Sequence, residues 1–374
     1  MDQAQFIFDS VLSEKDICNY TQLKKTLIEN LKNGRKIILY GLRNTGKTSL
    51  IKSSVIPSLK RSGYLVIYID LYGVRTLDQI GERIYFALQK SMLENFPYKT
   101  KFEVFINSLK NLRPVIKTDP IDGVSLSIEF NSKIDLKLSN VFKIIQEIHK
   151  KNPIILAFDE FQDIHFVKQA EALLRSELQE LNHEIGIVFL GSKKNMLSQI
   201  FAKSTAPLAG TGIDLEVPFI DYKEYHDYIL DRFKFRSLSM SLEDSTFLQN
   251  QLLRIPEAIN IVCDYILRNF EKSKITQEII LESIHNVTET KRSRFEEWLS
   301  HLSPNEQKVL VGLAKQSPVK APSGYEFVSS VRVSQKGVSN IIKKLKVEAI
   351  IYEDTNGIII PDPLLASYLR RNRL

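Results

Sequence analysis

Cysteine is nearly missing from this chain. Cys18 and Cys263 are the only two in 374 residues, far apart and in no metal-ligand or redox spacing, so a disulfide framework is excluded. The six histidines, His149, His165, His183, His226, His285 and His301, form no HExxH or His-x3-His pattern. They read as satisfied surface side chains, and a zinc site has no support. No apolar run approaches the roughly 18 residues of a membrane helix, and the start, Met1-Asp2-Gln3-Ala4-Gln5, lacks the basic and apolar regions of a signal peptide. A cytoplasmic protein without membrane contact is expected. Low-complexity tracts and internal repeats are also missing. What remains is 43% hydrophobic and 25% charged, with 15 Gly and 13 Pro, the composition of an ordinary globular protein long enough for two or three domains.

The net charge of +7 is unevenly placed. Residues 291–374 hold 14 basic and 8 acidic side chains, which leaves only +1 for everything before them. A local basic excess marks either contact with nucleic-acid phosphates or a solvated basic face.

Gly41-Leu42-Arg43-Asn44-Thr45-Gly46-Lys47-Thr48 fits the Walker A pattern G-x4-G-K-S/T in full. The apolar run Ile37-Ile38-Leu39-Tyr40 before it reads as a buried strand, and residues 48–56 read as a helix that Pro57 ends or kinks. Glycines at both ends let the backbone curl so that successive N–H groups face inward, and the helix start adds partial positive charge; together they cradle phosphates. Lys47 is expected to reach the β- and γ-phosphates of ATP, and Thr48 to ligate Mg2+.

Such a loop needs an acidic strand end, and Pro153-Ile154-Ile155-Leu156-Ala157-Phe158-Asp159-Glu160 supplies one. A buried parallel strand reads as continuous apolar residues, and ligands sit at its carboxyl end. Asp159 is expected to bind Mg2+ through water and Glu160 to polarise the attacking water as general base, which favours hydrolysis over binding alone. Gln162 either orients water or γ-phosphate, or simply begins the next helix. Residues 64–70, 185–191 and 213–217 complete an α/β sheet, and Gly191-Ser192 places Ser192 as a γ-phosphate sensor or as part of a turn. A helix is expected over 77–93, and the alternation of residues 124–130 reads as an edge strand or hairpin.

Together these residues resemble the archaeal ATPase family of the AAA+/STAND branch of P-loop NTPases. Gly41-x-Arg43-x-x-Gly46-Lys47-Thr48-Ser49-Leu50 looks like that family's phosphate loop, Asp159-Glu160-Phe161-Gln162 like its acidic motif, and Gly191-Ser192 like its sensor strand. Pro207-Leu208-Ala209-Gly210 is similar to the stretch before the fifth strand, and Pro256 to the Gly-x-Pro turn of a helical lid near the base. The resemblance implies a parallel sheet flanked by helices, then a helical lid and a winged helix, with ATP and Mg2+ as cofactors. Gly41, Arg43, Asn44, Thr45, Gly46, Lys47, Thr48, Ser49 and Pro256 form the implied nucleotide site. The sequence departs from the pattern twice. Thr211 stands where the family usually has arginine, so no arginine is assigned there. Arg254 stands where glycine is usual, and either reaches the nucleotide or is a solvated helix end. Arg175 and Arg232 are other candidates to donate an arginine.

Residues 222–287 carry apolar side chains three and four apart, as in Tyr225, Tyr228, Ile229 and Phe233, with Asp244, Ser245 and Pro256 as helix punctuation. Ser303-Pro304-Asn305-Glu306 is a capping box with proline at the first helical position. A short helix, a second over 335–348, and a hairpin turning at Asp354-Thr355-Asn356-Gly357 then resemble a winged helix-turn-helix. The second helix exposes Lys336, Ser339, Asn340, Lys343, Lys344 and Lys346, which suit a major groove or form a solvated face. Arg370, Arg371 and Arg373 read as a frayed charged end. The expected domains are 1–217, 218–290 and 291–374. The expected function is an ATP-hydrolysing switch bound to ATP or ADP. The alternatives are a loader that grips double-stranded DNA through Lys336, Asn340, Lys343 and Lys344, or a regulator acting on a protein partner or forming a homo-oligomer.

Overall fold

Five apolar runs become five strands of one sheet in the computed structural model of the chain, which describes residues 6–95, 117–119, 123–125, 137–192 and 194–372. Strands β1 (Lys36–Tyr40), β2 (Leu65–Asp70), β3 (Ile154–Asp159), β4 (Gly186–Gly191) and β5 (Ile213–Glu216) lie in the order β2-β3-β4-β1-β5, and every neighbouring pair is parallel. β3 and β4 are buried along their whole length, which is why both are nearly unbroken apolar runs. β5 is an exposed edge. Parallel pairing sends all carboxyl ends to one side: the register sets Asp70 beside Asp159 and Tyr40 beside Gly191.

Helices Leu77–Asn95, Leu138–His149 and Ala170–Glu180 follow the same logic. Each shows a stripe at helical spacing: Ile80, Ile84 and Leu88; Val141, Ile145 and Ile148; Ala170, Leu174 and Leu178. These residues join the buried faces of the strands in one core, each large side chain contributing on the order of 1.5–3 kcal/mol. Four rings, Phe158, Phe161, Phe189 and Phe201, meet at centroid separations of 4.5–5.8 Å beneath the end of β3. Lys117–Asp119 pairs antiparallel with Gly123–Ser125, so Val124 and Ser125 lie in a hairpin; residues 126–130 fall outside the described residues.

Pro57 does not end the helix after the glycine-rich loop. The chain is helical over Lys47–Leu50, widens to a π turn at Ile51–Val55 and continues over Ile56–Arg61. A proline ring collides with the carbonyl four residues back and offers no N–H; the wider turn just before Pro57 is the place where an α-helical ladder is interrupted without ending the helix.

Contacts divide the described residues into two compact units. The sheet and its helices, residues 22–40 and 54–216, form one. The described residues of 1–21, 41–53 and 217–374 form the other. In the latter, helices Tyr222–Phe233, Leu242–Gln251, Pro256–Asn269 and Gln277–Thr290 make a bundle. Ser241, not Asp244 or Ser245, caps the second: its hydroxyl accepts the Asp244 N–H at 3.0 Å, while Ser245 is buried inside the first turn. Pro256 is the first residue of its helix, as expected. Helix Pro304–Gln316 starts on the expected capping box, with Ser303 N–H donating to Glu306 at 2.7 Å and Glu306 N–H to the Ser303 hydroxyl at 3.4 Å. Helices Tyr325–Val331 and Gln335–Val347 follow, then the antiparallel pair Tyr352–Asp354 and Gly357–Ile359. Gly357, at φ 130°, lies against the Val319 backbone where a Cβ would stand 2.8 Å away. Arg370 and Arg371 are not frayed, because helix Pro363–Asn372 carries them and is anchored by buried Leu364, Tyr368 and Leu369; Arg373 lies outside the described residues. Among the described residues no helix is long and apolar enough to cross a membrane.

Gly186 opens β4 directly against the backbone carbonyl of Leu31, where a Cβ would overlap it. Gly186→Ala is therefore expected to cost about 1–3 kcal/mol of stability in urea unfolding; an unchanged midpoint would show that the helix backs away freely.

Candidate functional site

The loop from Gly41 to Gly46 carries two left-handed residues, Asn44 at φ 64° and Gly46 at φ 83°. Gly46 leads into the helix, whose first bond runs from Leu50 N–H to the Gly46 carbonyl at 2.8 Å. The Lys47 side chain is buried and folded back on its own loop: Nζ donates to the carbonyls of Gly41 (3.0 Å) and Leu42 (2.6 Å). The Thr45 hydroxyl donates to the same Leu42 carbonyl at 2.8 Å. A buried ammonium needs acceptors, and these carbonyls supply them.

Thr45, Gly46, Ser49 and Pro256 line one small cavity of about 20 Å³ with Leu12, Ile17, Tyr20, Ile220 and Tyr225. The Leu12 N–H donates to the Ser49 hydroxyl at 3.1 Å, and the Tyr20 hydroxyl to the Thr45 carbonyl at 2.9 Å. Asn19 and Tyr20 are both left-handed, at φ 52° and 81°, an arrangement that costs on the order of 1–2 kcal/mol per non-glycine residue and is held by these contacts. Tyr20 precedes the loop by more than twenty residues with no motif around it, so no sequence signal points to it. Arg43 and Asn44, by contrast, are exposed and line a second cavity of about 640 Å³, shared with Glu257, Lys291, Arg294 and Asp362. There the Glu257 N–H reaches the Asn44 carbonyl at 3.5 Å. Burial and the Asp362 carboxylate push the Glu257 carboxyl above its usual range, against the opposing pull of Lys291.

The acidic residues sit on the aromatic cluster at the end of β3. Asp159 is buried, its Oδ1 accepting the Glu160 N–H at 2.9 Å and its Oδ2 accepting from the Tyr68 hydroxyl. Burial, reinforced by the Asp159 charge, pushes the Tyr68 hydroxyl above its ordinary value, so it remains a donor. Glu160 is left-handed at φ 50°, a strained conformation of the kind that gathers at functional sites. Its Oε2 accepts from the Gln162 amide and, at 3.4 Å, from the Ser192 hydroxyl. Three residues nominated from sequence thus meet at one carboxylate. Gln162 also belongs to the short 3-10 helix Phe161–Phe166, and it packs where a side chain on Gly191 would collide with its amide. Tyr68 was missed because its link to Asp159 spans 91 residues and two strands.

Several nominations change. Arg232 is buried, paired with Asp16 at 3.1 Å and stacked 3.6 Å from the Tyr228 ring centroid, so its guanidinium is committed to the interior. Arg254 is not a solvated helix end. It takes the left-handed conformation (φ 55°) that glycine usually supplies, donates to the Ile220 carbonyl and lies 4.1 Å from the Tyr222 ring centroid. Arg175 donates to the Pro207 carbonyl. His149 is not a surface histidine; its side chain is only 8% exposed and faces Glu184 at 3.5 Å. On helix Gln335–Val347, Lys336, Asn340 and Lys343 are exposed. Lys344 instead pairs with Glu306 at 2.7 Å, and Lys346 pairs with Glu353.

Residues 22–246 match the family described as an ATPase domain predominantly from Archaea, and residues 293–371 match a probable winged helix domain. Among solved structures, the Walker-type ATPase PABY2304 of Pyrococcus abyssi is similar over 98% of this chain and 99% of its own, at 21% identity and a TM-score of 0.67. The ADP form of the Aeropyrum pernix ORC2 protein is similar over 98% of each chain, at 12% identity and a TM-score of 0.52. At such identities both likenesses speak for the fold alone. No curated protein matches.

Hydrogen bonds from Lys344 and Ser303 draw the Glu306 carboxyl down to about 2. A carboxyl lower in the folded than in the unfolded state stabilises above its unfolded value, ordinarily 4.5, and loses that contribution as pH falls through about 2. Lys344→Met should lower the melting temperature at pH 7 and flatten its decline between pH 4.5 and 2; a melting profile identical to that of the unaltered chain would refute the coupling.

Proposed function

Since the chain belongs to the archaeal ATPase family and is an ATP-hydrolysing P-loop enzyme with a C-terminal winged helix, we propose that it is a Mg2+-dependent switch whose helical bundle and winged helix answer to the nucleotide at residues 41–49. In this reading residues 1–217 are the ATPase core, 218–290 the lid and 291–374 the output module. The carrying observation is that loop and helices touch within one compact unit: Glu257 N–H on the Asn44 carbonyl, Tyr20 on the Thr45 carbonyl, and the 640 Å³ cavity lined by the loop, the bundle and Asp362. A loop that changes shape around phosphates therefore pulls on helices directly.

The amides of the loop, through Ser49, cradle the phosphates, and Lys47 leaves the Gly41 and Leu42 carbonyls for phosphate oxygens. The base would lie toward Gly46, Ser49 and Pro256, which line one small cavity. Asp159 and Thr48 offer a carboxylate and a hydroxyl, the hard oxygen donors that suit Mg2+, and Asp70 beside Asp159 adds to the negative field a cation would balance. Mg2+, when bound, neutralises charge on the β- and γ-oxygens. Glu160 takes the proton of the attacking water, held for that task by Gln162 and Ser192. Lys47→Ala should abolish ATP binding in calorimetry, whereas Glu160→Gln should keep binding and lose turnover by about 100-fold or more. Normal hydrolysis by Glu160→Gln would remove the general-base role, and identical scattering with ADP and an ATP analogue would remove the switch.

A second reading, double-stranded DNA at the winged helix, draws on Lys336, Asn340 and Lys343, which stand four and three residues apart on one exposed helical face. It predicts duplex affinity that falls steeply with salt and drops in a Lys336→Ala, Lys343→Ala double variant, with Lys344 excluded because Glu306 holds it. Negligible binding at low salt would leave a protein partner or a second copy of the chain as the target.

A further inference from the structure

β2 and β3 run parallel with Tyr68 opposite Ala157 and Asp70 opposite Asp159. Side chains two residues apart on a strand share a face, so Tyr68 stands one step behind Asp159 on the neighbouring strand. From that position the Tyr68 hydroxyl reaches forward to donate to Asp159 Oδ2. The other oxygen, Oδ1, accepts the Glu160 N–H at 2.9 Å. An aspartate's last torsion is intrinsically broad. Here a donor on each oxygen pins the carboxylate plane, one from the backbone and one from a neighbouring strand, and neither can follow a rotation of the group. The backbone donor is present whatever residue occupies position 68. The strand donor depends on tyrosine alone.

We propose that Tyr68 is a positioning residue for ATP hydrolysis, presetting the Asp159 carboxylate for the Mg2+ that accompanies the nucleotide. The inference rests on the reading above that Asp159 serves Mg2+. Groups that hydrogen-bond a metal ligand from behind fix its direction and its electron density, and their loss typically weakens metal affinity about 10–100-fold. In this proposal Tyr68 acts through Asp159 alone, to which its hydroxyl donates, so its removal lowers the population of correctly aimed carboxylate and leaves the phosphate cradle as it was.

The test is a Mg2+ titration of ATP affinity by calorimetry on the full chain, with Tyr68→Phe and Asp159→Asn beside the unaltered protein, and each protein also measured against ATP in EDTA. Phenylalanine keeps the ring and deletes only the donor. The expected result is a Mg2+ midpoint at least about 10-fold higher in Tyr68→Phe, with ATP affinity in EDTA unchanged and kcat largely restored at saturating Mg2+. Three results overturn the proposal. If Tyr68→Phe matches the unaltered chain while Asp159→Asn shifts, the hydroxyl has no positioning role. If Asp159→Asn also leaves the midpoint unmoved, Asp159 does not serve Mg2+ and the reading beneath the proposal fails with it. If Tyr68→Phe loses ATP affinity in EDTA as well, the tyrosine supports the fold and not the carboxylate.

Discussion

Parallel pairing of β1, β3 and β4 is the constraint on which everything else rests. An antiparallel neighbour would send its carboxyl end to the opposite side; parallel strands place Tyr40, Asp159 and Gly191 on one edge, so the two acids and Ser192 are delivered to the same side by backbone hydrogen bonds alone. The arrangement is stiffened at the end of β3. Four phenylalanines pack under the end of β3, and aromatic contacts of this kind add about 0.5–1.5 kcal/mol each beyond their buried area. Phe158 and Phe161 flank the two carboxylates, so the same short stretch that carries charge toward the edge anchors itself in the core. That anchoring offsets the left-handed conformation of Glu160.

Charge is managed by local partners throughout. Lys47 rests on carbonyls, Asp159 on Tyr68 and an amide, Glu160 on Gln162 and Ser192, and Arg232 on Asp16 and an aromatic face. Buried polar groups without such partners cost several kcal/mol, so each contact is first a solution to a folding problem. On the reading proposed above, the same contacts are reversible, so that a phosphate takes the place of a carbonyl at Lys47 without leaving an unpaired charge. The C-terminal module shows the opposite case. Two of its exposed-looking lysines, Lys344 and Lys346, are spent on Glu306 and Glu353, and the basic character of that segment is concentrated on fewer side chains than its composition implies.

How far the sequence reaches depends on how far apart the interacting residues are. The phosphate loop, the acidic strand end, the capping box at Ser303 and Glu306 and the hairpin around Gly357 were all legible, because each is written in neighbouring residues through backbone geometry: left-handed glycines, an apolar run, a side chain returning three positions. The limits of the five parallel strands fell within a residue of expectation for the same reason. Of the two readings of Pro57, that it ends or kinks the helix, the first fails, because a π turn absorbs the proline locally.

What tertiary structure alone decided were partners far apart in the chain. Tyr68 reaches Asp159 across 91 residues, Lys344 reaches Glu306 across 38, and Arg232 reaches Asp16 across 216. Sequence patterns record what a residue offers, a donor or a charge, and strand order and helix packing determine which acceptor it meets. The sequence therefore determined the kind of protein, an ATPase with a glycine-rich loop and an acidic strand end, and the fold determined which side chains meet and which are consumed in holding it together.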